Sequence, residues 1–128
     1  MKIVLDTNII VSTFINPKGI PGEILSLVLT KKITVCYDNK ILSEYTEVLK
    51  KSKFNFNNVL VDDFLNFIKE NGEYIIAESQ KIKFNDKDDK AFYDVYKSSS
   101  ADYIVTGNKK HFPQEKYIIT PKEYKEVI

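Results

Sequence analysis

Short apolar runs alternate along this chain with stretches whose apolar residues recur at helical spacing, and that alternation restricts it to an α/β architecture. Lys2–Asp6, Ile33–Tyr37, Tyr74–Ala77, Tyr103–Thr106 and Tyr117–Ile119 read as strands, rich in β-branched and aromatic residues. Between them lie helical patterns. Ile9–Ile15 is a short one. Gly22–Thr30 follows the turn-rich Asn16–Gly22 loop and carries Ile24, Leu25, Val28 and Leu29 on one face. A helix capped by Asp38 runs through Lys51, with Ile41, Leu42, Tyr45, Val48 and Leu49 as its stripe. Val59–Asn71 closes at Gly72, and Asp88–Ser98 faces Ala91, Phe92, Val95 and Tyr96 inward. Thr120-Pro121-Lys122-Glu123 spells a capping box with proline in the first turn. Several strands are continuously apolar rather than alternating, so both their faces must be buried. The expectation is one domain over residues 1–128: a parallel sheet of about four to five strands with helices on both faces.

Composition narrows the function. The chain has 128 residues, enough for one core, and is 43% hydrophobic and 29% charged. Its 19 basic and 18 acidic residues leave a net charge of +1, too little for a protein that coats nucleic acid without selectivity. Every basic residue is lysine, so bidentate arginine clamps on phosphate are unavailable, although lysine still binds phosphate as a point charge. Cys36 is the sole cysteine and His111 the sole histidine. Disulfides, cysteine-rich zinc sites and a Ser-His-Asp triad therefore lack support. The apolar residues before Asp6 are too few for a secretory leader, and no run is long enough to span a membrane, so a cytoplasmic setting is expected.

The chemistry is carried by acids. Asp6 ends the first strand, and in open α/β sheets ligands bind at the carboxyl ends of strands. Asp6 also stands where an ordinary helix cap would. Glu44 borders the apolar stripe of its helix and can reach inward, whereas Glu47 lies nearly opposite. Asp88 and Asp89 stand at a helix start, where capping is the ordinary role for at least one of them. Phase sets Asp88 nearer the apolar face and Asp89 at its edge, and does not choose between them. Asn108 follows Thr106-Gly107 at the end of a strand. Two carboxylates about 4 Å apart repel by about 4 kcal/mol at an effective dielectric near 20, which a divalent cation relieves. All-oxygen ligands suit Mg²⁺ or Mn²⁺. Such a cluster fits hydrolysis of phosphodiesters without a histidine base.

With those residues in place, the chain resembles the PIN-domain family, in particular the VapC-like toxins of toxin–antitoxin pairs. Val4-Leu5-Asp6-Thr7-Asn8 is similar to the family's opening motif. Ile41 to Leu49, around Glu44, resembles its second acidic motif; Asp86 to Phe92 resembles its third; Ala101 to Asn108 resembles its fourth; and Ile119-Thr120-Pro121 resembles its closing strand and cap. The resemblance implies a Mg²⁺- or Mn²⁺-dependent ribonuclease. Its catalytic and metal-binding acids would be Asp6, Glu44 and Asp89, with Asp88 the alternative to Asp89 and Asn108 a weak ligand. Thr7, Asn8 and Thr106 would support the site. The chain departs from the family at Asn108, where aspartate is usual, and at Lys87, where proline is common. Asn108 keeps an oxygen but not the charge, which weakens the case for a second metal.

The resemblance further implies an RNA substrate, a cognate antitoxin and a homodimer. The 59–67 segment carries more apolar residues than one helix face needs, in keeping with a second contact surface. Lys109 and Lys110, directly after Asn108, are candidates to touch RNA; the neighbouring His111 and the lysines at 31–32 and 50–53 are weaker ones. The competing reading is a PIN-fold module that binds RNA or protein and cleaves weakly or not at all, because Asn108 is neutral. A phosphohydrolase using Asp6 as nucleophile is weaker still, since Asn8 occupies the place of the second aspartate such sites use.

Overall fold

The computed structural model describes residues 1–128. Five parallel strands form one sheet in the order β3-β2-β1-β4-β5, where β1 is Lys2–Leu5, β2 Thr34–Tyr37, β3 Glu73–Tyr74, β4 Tyr103–Val105 and β5 Ile118–Ile119. Six helices connect or close them: α1 Thr7–Ile15, α2 Ile20–Leu29, α3 Asn39–Leu49, α4 Asn58–Asn71, α5 Lys87–Ser98 and α6 Pro121–Val127. Ile3, Val4 and Leu5 point alternately to opposite faces, yet none has any exposed surface. Both faces of the central strand are therefore covered, as its unbroken apolar run requires.

The strand order reverses at β1. The chain steps outward from β1 to β2 and β3, then returns through α5 to the other side of β1 to lay down β4 and β5. A crevice opens at such a reversal, at the carboxyl ends of the two central strands. Ile3 pairs with Tyr103 and Leu5 with Val105, so the next residue of each strand, Asp6 and Thr106, emerge side by side. The Asp6 amide extends the ladder by donating to the Val105 carbonyl at 3.0 Å.

Local signals account for most of the elements. Asp38 caps α3 by accepting from the Ile41 amide at 2.9 Å. Thr120 and Glu123 form the reciprocal capping box at the start of α6, at 3.2 and 3.0 Å. Gly72 does follow α4, but in extended rather than left-handed conformation. A Cβ there would sit 2.6 Å from the Ile68 carbonyl oxygen and 2.9 Å from that of Val35, so glycine is required by the close approach of α4 to β2.

Several boundaries differ from the sequence reading. Helix α1 starts at Thr7, two residues earlier, because Asp6 takes the cap position with extended backbone. Helix α2 starts at Ile20, since Pro21 is tolerated in a first turn, and Gly22 lies inside it against the Pro17 backbone. Strand β3 is Glu73–Tyr74 rather than Tyr74–Ala77: only these two residues pair with β2, at an edge, and Ile76 is 86% exposed beyond them. Helix α5 starts at Lys87 because Asp86, not Asp88 or Asp89, is the cap and accepts from the Asp88 amide at 2.9 Å. A 3-10 turn over Lys109–His111 was not legible in the sequence. The irregular stretch before α5 is fastened by Asp94, a buried acid that accepts from the Gln80 amide at 3.0 Å and pairs with Lys90 at 2.9 Å. No helix is long and apolar enough to cross a membrane.

Candidate active site

Asp6 occupies the N-cap position of α1, yet no first-turn amide donates to its side chain in capping geometry. Its Oδ2 instead accepts from the Thr106 hydroxyl at 2.6 Å, across the β1/β4 reversal. The Thr106 Oγ1 in turn accepts from the Asn108 amide at 3.0 Å, which orients the hydroxyl proton toward Asp6. Asn8 closes the same edge by accepting from the Gly107 amide at 3.4 Å. Thr106 is thus the anchor of Asp6, and Asn8 ties the start of α1 to the turn after β4. Burial pushes the Asp6 carboxyl above the usual carboxylate range, opposed by the Thr106 hydrogen bond and the nearby Thr7 and Asn8 amides.

Glu44 is brought to this edge by its neighbour. Tyr45 is fully buried, and its hydroxyl donates to the Leu5 carbonyl at 2.5 Å, pinning α3 to the end of β1. Sequence reading places Tyr45 only on an apolar stripe; the signal for more is that a buried tyrosine hydroxyl needs a partner. Glu44 is half-buried, while Glu47 is exposed. Desolvation, then the charges of Asp88, Glu47 and Asp6, push Glu44 up to about 7. Asp89, half-buried at the first turn of α5, is pushed up to about 6 by desolvation and then by Asp6. The acids of β1, α3 and α5 therefore sense one another.

Helical phase leaves the aspartate pair open, and the structure separates the two. Asp89 is the more buried and Asp88 the exposed one, because the cover comes from other elements. Asp89 feels the charge of Asp6, and its Oδ2 lies 3.5 Å from His111 Nδ1 on the 3-10 turn. Asp88 turns instead toward Glu44, with which it borders a groove of about 470 Å³ that also takes in Glu47. The sequence motifs leave His111 out of the acidic site; its one signal there is its place three residues after Asn108. Asn108 itself is exposed and joined to the centre only through its amide. Lys109 pairs with Glu123 at 3.1 Å, whereas Lys110 pairs with no carboxylate. Thr7 Oγ1 is buried without a hydrogen-bond partner. Cys36 is fully buried and its thiol is pushed up to about 11, which removes it as a nucleophile.

No three His, Cys, Asp or Glu side chains stand close enough together to hold a metal ion by themselves. The donor set nonetheless suits a hard cation, being carboxylate throughout. Mg²⁺ keeps several waters and takes only one or two protein carboxylates, so the carboxylates of Asp6, Asp89 and Glu44 are of the right kind for it.

This arrangement, acids gathered at the reversal of a parallel five-stranded sheet, accompanies a direct match in sequence. The chain belongs to the PIN-domain family, whose model matches residues 2–110. That family has a nuclease-type fold. An uncharacterized protein of Methanocaldococcus jannaschii is 33% identical over 117 residues, which cover 85% of this chain and 72% of the relative. No solved structure matches the chain significantly.

Raised carboxyl groups have a consequence for stability. Between their ordinary range near 4 and their raised values, Glu44 and Asp89 hold protons in the folded chain that the unfolded chain has lost. Stability of the metal-free protein then falls as pH rises from about 4.5 to about 7. Urea unfolding in EDTA across that range is expected to show the decline, and Glu44→Gln to flatten it. A stability that rises steadily to pH 7 in both proteins contradicts the arrangement.

Proposed function

We propose that this PIN-domain chain is a Mg²⁺- or Mn²⁺-dependent endoribonuclease, acting as the toxin of a toxin–antitoxin pair in the cytoplasm. The observation that carries the reading is Asp6 held by Thr106 at the strand reversal, with Glu44 carried toward that edge by the Tyr45 tether of α3 and Asp89 set against His111 on the turn after β4. Carboxyl groups raised by burial and by one another's charge, set in a crevice, make a candidate functional site. Asp6 and Asp89 are the proposed metal ligands, with Glu44 oriented by Tyr45 at the third position. A divalent ion bound there supplies polarisation of the phosphate and activation of the attacking water. Thr106 holds one oxygen of Asp6 and so would fix the carboxylate that a metal binds. Asn8 fixes the turn that carries Asn108.

A labelled single-stranded RNA should be cut in Mg²⁺ or Mn²⁺ and remain whole in EDTA. Asp6→Asn and Glu44→Gln are each expected to lower the rate by at least about 100-fold with the fold retained, since each removes one charge from a mutually repelling set. Asp89→Asn is expected to cost more than Asp88→Asn. Cleavage by purified protein that persists undiminished in excess EDTA refutes the metal assignment.

The alternative, a module that binds without efficient cleavage, is favoured by one feature: Asn108 brings no charge to the centre. Under the enzymatic reading, Asn108→Asp lowers the metal concentration for half-maximal activity, because a second ion needs added negative charge. An unchanged metal dependence places Asn108 outside the ligand shell, as a residue that shapes only the turn.

A homodimer and an antitoxin partner belong to the same proposal. Val59 and Leu60 on α4 are 67% and 58% exposed, and Leu60 borders an apolar groove with Phe14, Leu25 and Phe67. Exposed apolar surface of this kind is typical of contact sites. Light scattering at high micromolar concentration is expected to report twice the chain mass; a monomer mass counts against the dimer.

A further inference from the structure

Two grooves differ in sign, one bordered by Glu44 itself and the other reached from the acidic centre through the 3-10 turn. On the α3–α5 side, Glu44, Glu47 and Asp88 border a groove whose bases are Lys40 and Lys87. On the other side, the 3-10 turn and the loop after it enclose a groove of about 680 Å³ bordered by Lys109, Lys110 and Lys116, with Glu115 its only acid. The two are joined through one short turn: His111 contacts Asp89, while the adjacent Lys110 faces the second groove.

This second groove is built rather than incidental. Phe112 is buried, packing edge-on against Phe84 at 5.8 Å between ring centroids, and it anchors the end of the 3-10 turn in the core. Ile118 of β5 forms part of the floor. Lys109 is bound to Glu123 at 3.1 Å, and Glu123 is itself fixed by the capping box of α6, so the turn is tied to α6 as well. That pairing leaves Lys110 and Lys116 exposed and without a carboxylate partner. Of the other basic clusters, Lys50 pairs with Asp62 at 2.8 Å and Lys53 lies over the Phe54 ring.

We propose that the Lys110–Lys116 groove is the track for the RNA phosphates on one side of the scissile bond. The proposal rests on the ribonuclease reading and adds its polarity. A chain of net charge +1 with an acidic catalytic edge has no general attraction for a polyanion, so local cations must hold it. Lysines supply that as point charges, without base selectivity. The α3–α5 groove sets Lys40 and Lys87 among three acids, so it offers a polyanion less than the lysine-lined groove does. Lys109 serves the groove as a structural tie, and Lys110 with Lys116 provides the contacts.

The test separates binding from cleavage. Anisotropy of a short fluorescein-labelled single-stranded RNA is measured in EDTA over a series of salt concentrations. Lys110→Glu/Lys116→Glu is expected to weaken binding at low salt by about tenfold or more, and to reduce the salt slope by about 1.4, at about 0.7 per lost phosphate contact. Lys51→Glu/Lys53→Glu makes the same change in net charge away from the groove and is expected to leave the slope within error. Unchanged circular dichroism and melting confirm that the variants fold. Equal weakening by both double variants, or an unchanged slope in the first, overturns the proposal. So does competition by polyglutamate as strong as by unlabelled RNA, which would give the groove to an acidic protein segment. Asp6→Asn should lose cleavage and keep metal-free binding. Unaltered binding by Lys110→Glu/Lys116→Glu removes the groove while leaving the ribonuclease reading intact.

Discussion

The hydrogen bond from Thr106 to Asp6 is the contact on which the active edge depends. It spans the point where strand order reverses, and it links the first strand to one laid down about a hundred residues later. Without a donor, a carboxylate that is only 6% exposed would face the full cost of desolvation. The Asn108 amide occupies the threonine oxygen from behind, so the hydroxyl proton is directed at Asp6. Parallel pairing makes this inevitable once Leu5 stands opposite Val105, because neighbouring parallel strands end on the same edge.

Around that contact, the molecule gathers negative charge where its own burial opposes it. Glu44 and Asp89 would ionise more readily in water, yet α3 and α5 carry them to the crevice. Tyr45 and the strands beneath α5 hold them there. A cluster that destabilises its own charged state is poised to gain when a cation arrives, which is the physical content of the metal-dependent reading. The same logic explains the sign of the surroundings. Asp88 and Glu47 stand among Lys40 and Lys87 on one side, while lysines with a single acid stand on the other, beyond His111.

Much of the fold could be read from residues alone. The apolar run of β1, the Asp38 cap and the Thr120–Glu123 box are local, and each has the partner its sequence implies. Gly72 was placed rightly at the end of α4, but for a different reason, since the constraint is the Val35 backbone from a distant strand. Strand β3 was overextended because apolar Ile75 and Ile76 look like strand residues, whereas pairing depends on what β2 offers at the sheet edge. The aspartate pair shows the limit of periodicity. Phase does not choose between Asp88 and Asp89, but the 3-10 turn sets His111 against Asp89, and nothing in the local sequence announces that turn.

The sequence by itself determined the α/β class, the family and the set of acids available, because hydrophobic periodicity, caps and ordered motifs act within a few residues. Only the tertiary structure decided how those acids divide. Asp89 meets His111, and Asp88 shares a groove with Glu44. Tyr45 becomes the tether of α3, and Lys109 is drawn to Glu123 while Lys110 stays free. These outcomes depend on which side chains meet across the strand reversal, a long-range property that no window of local sequence contains.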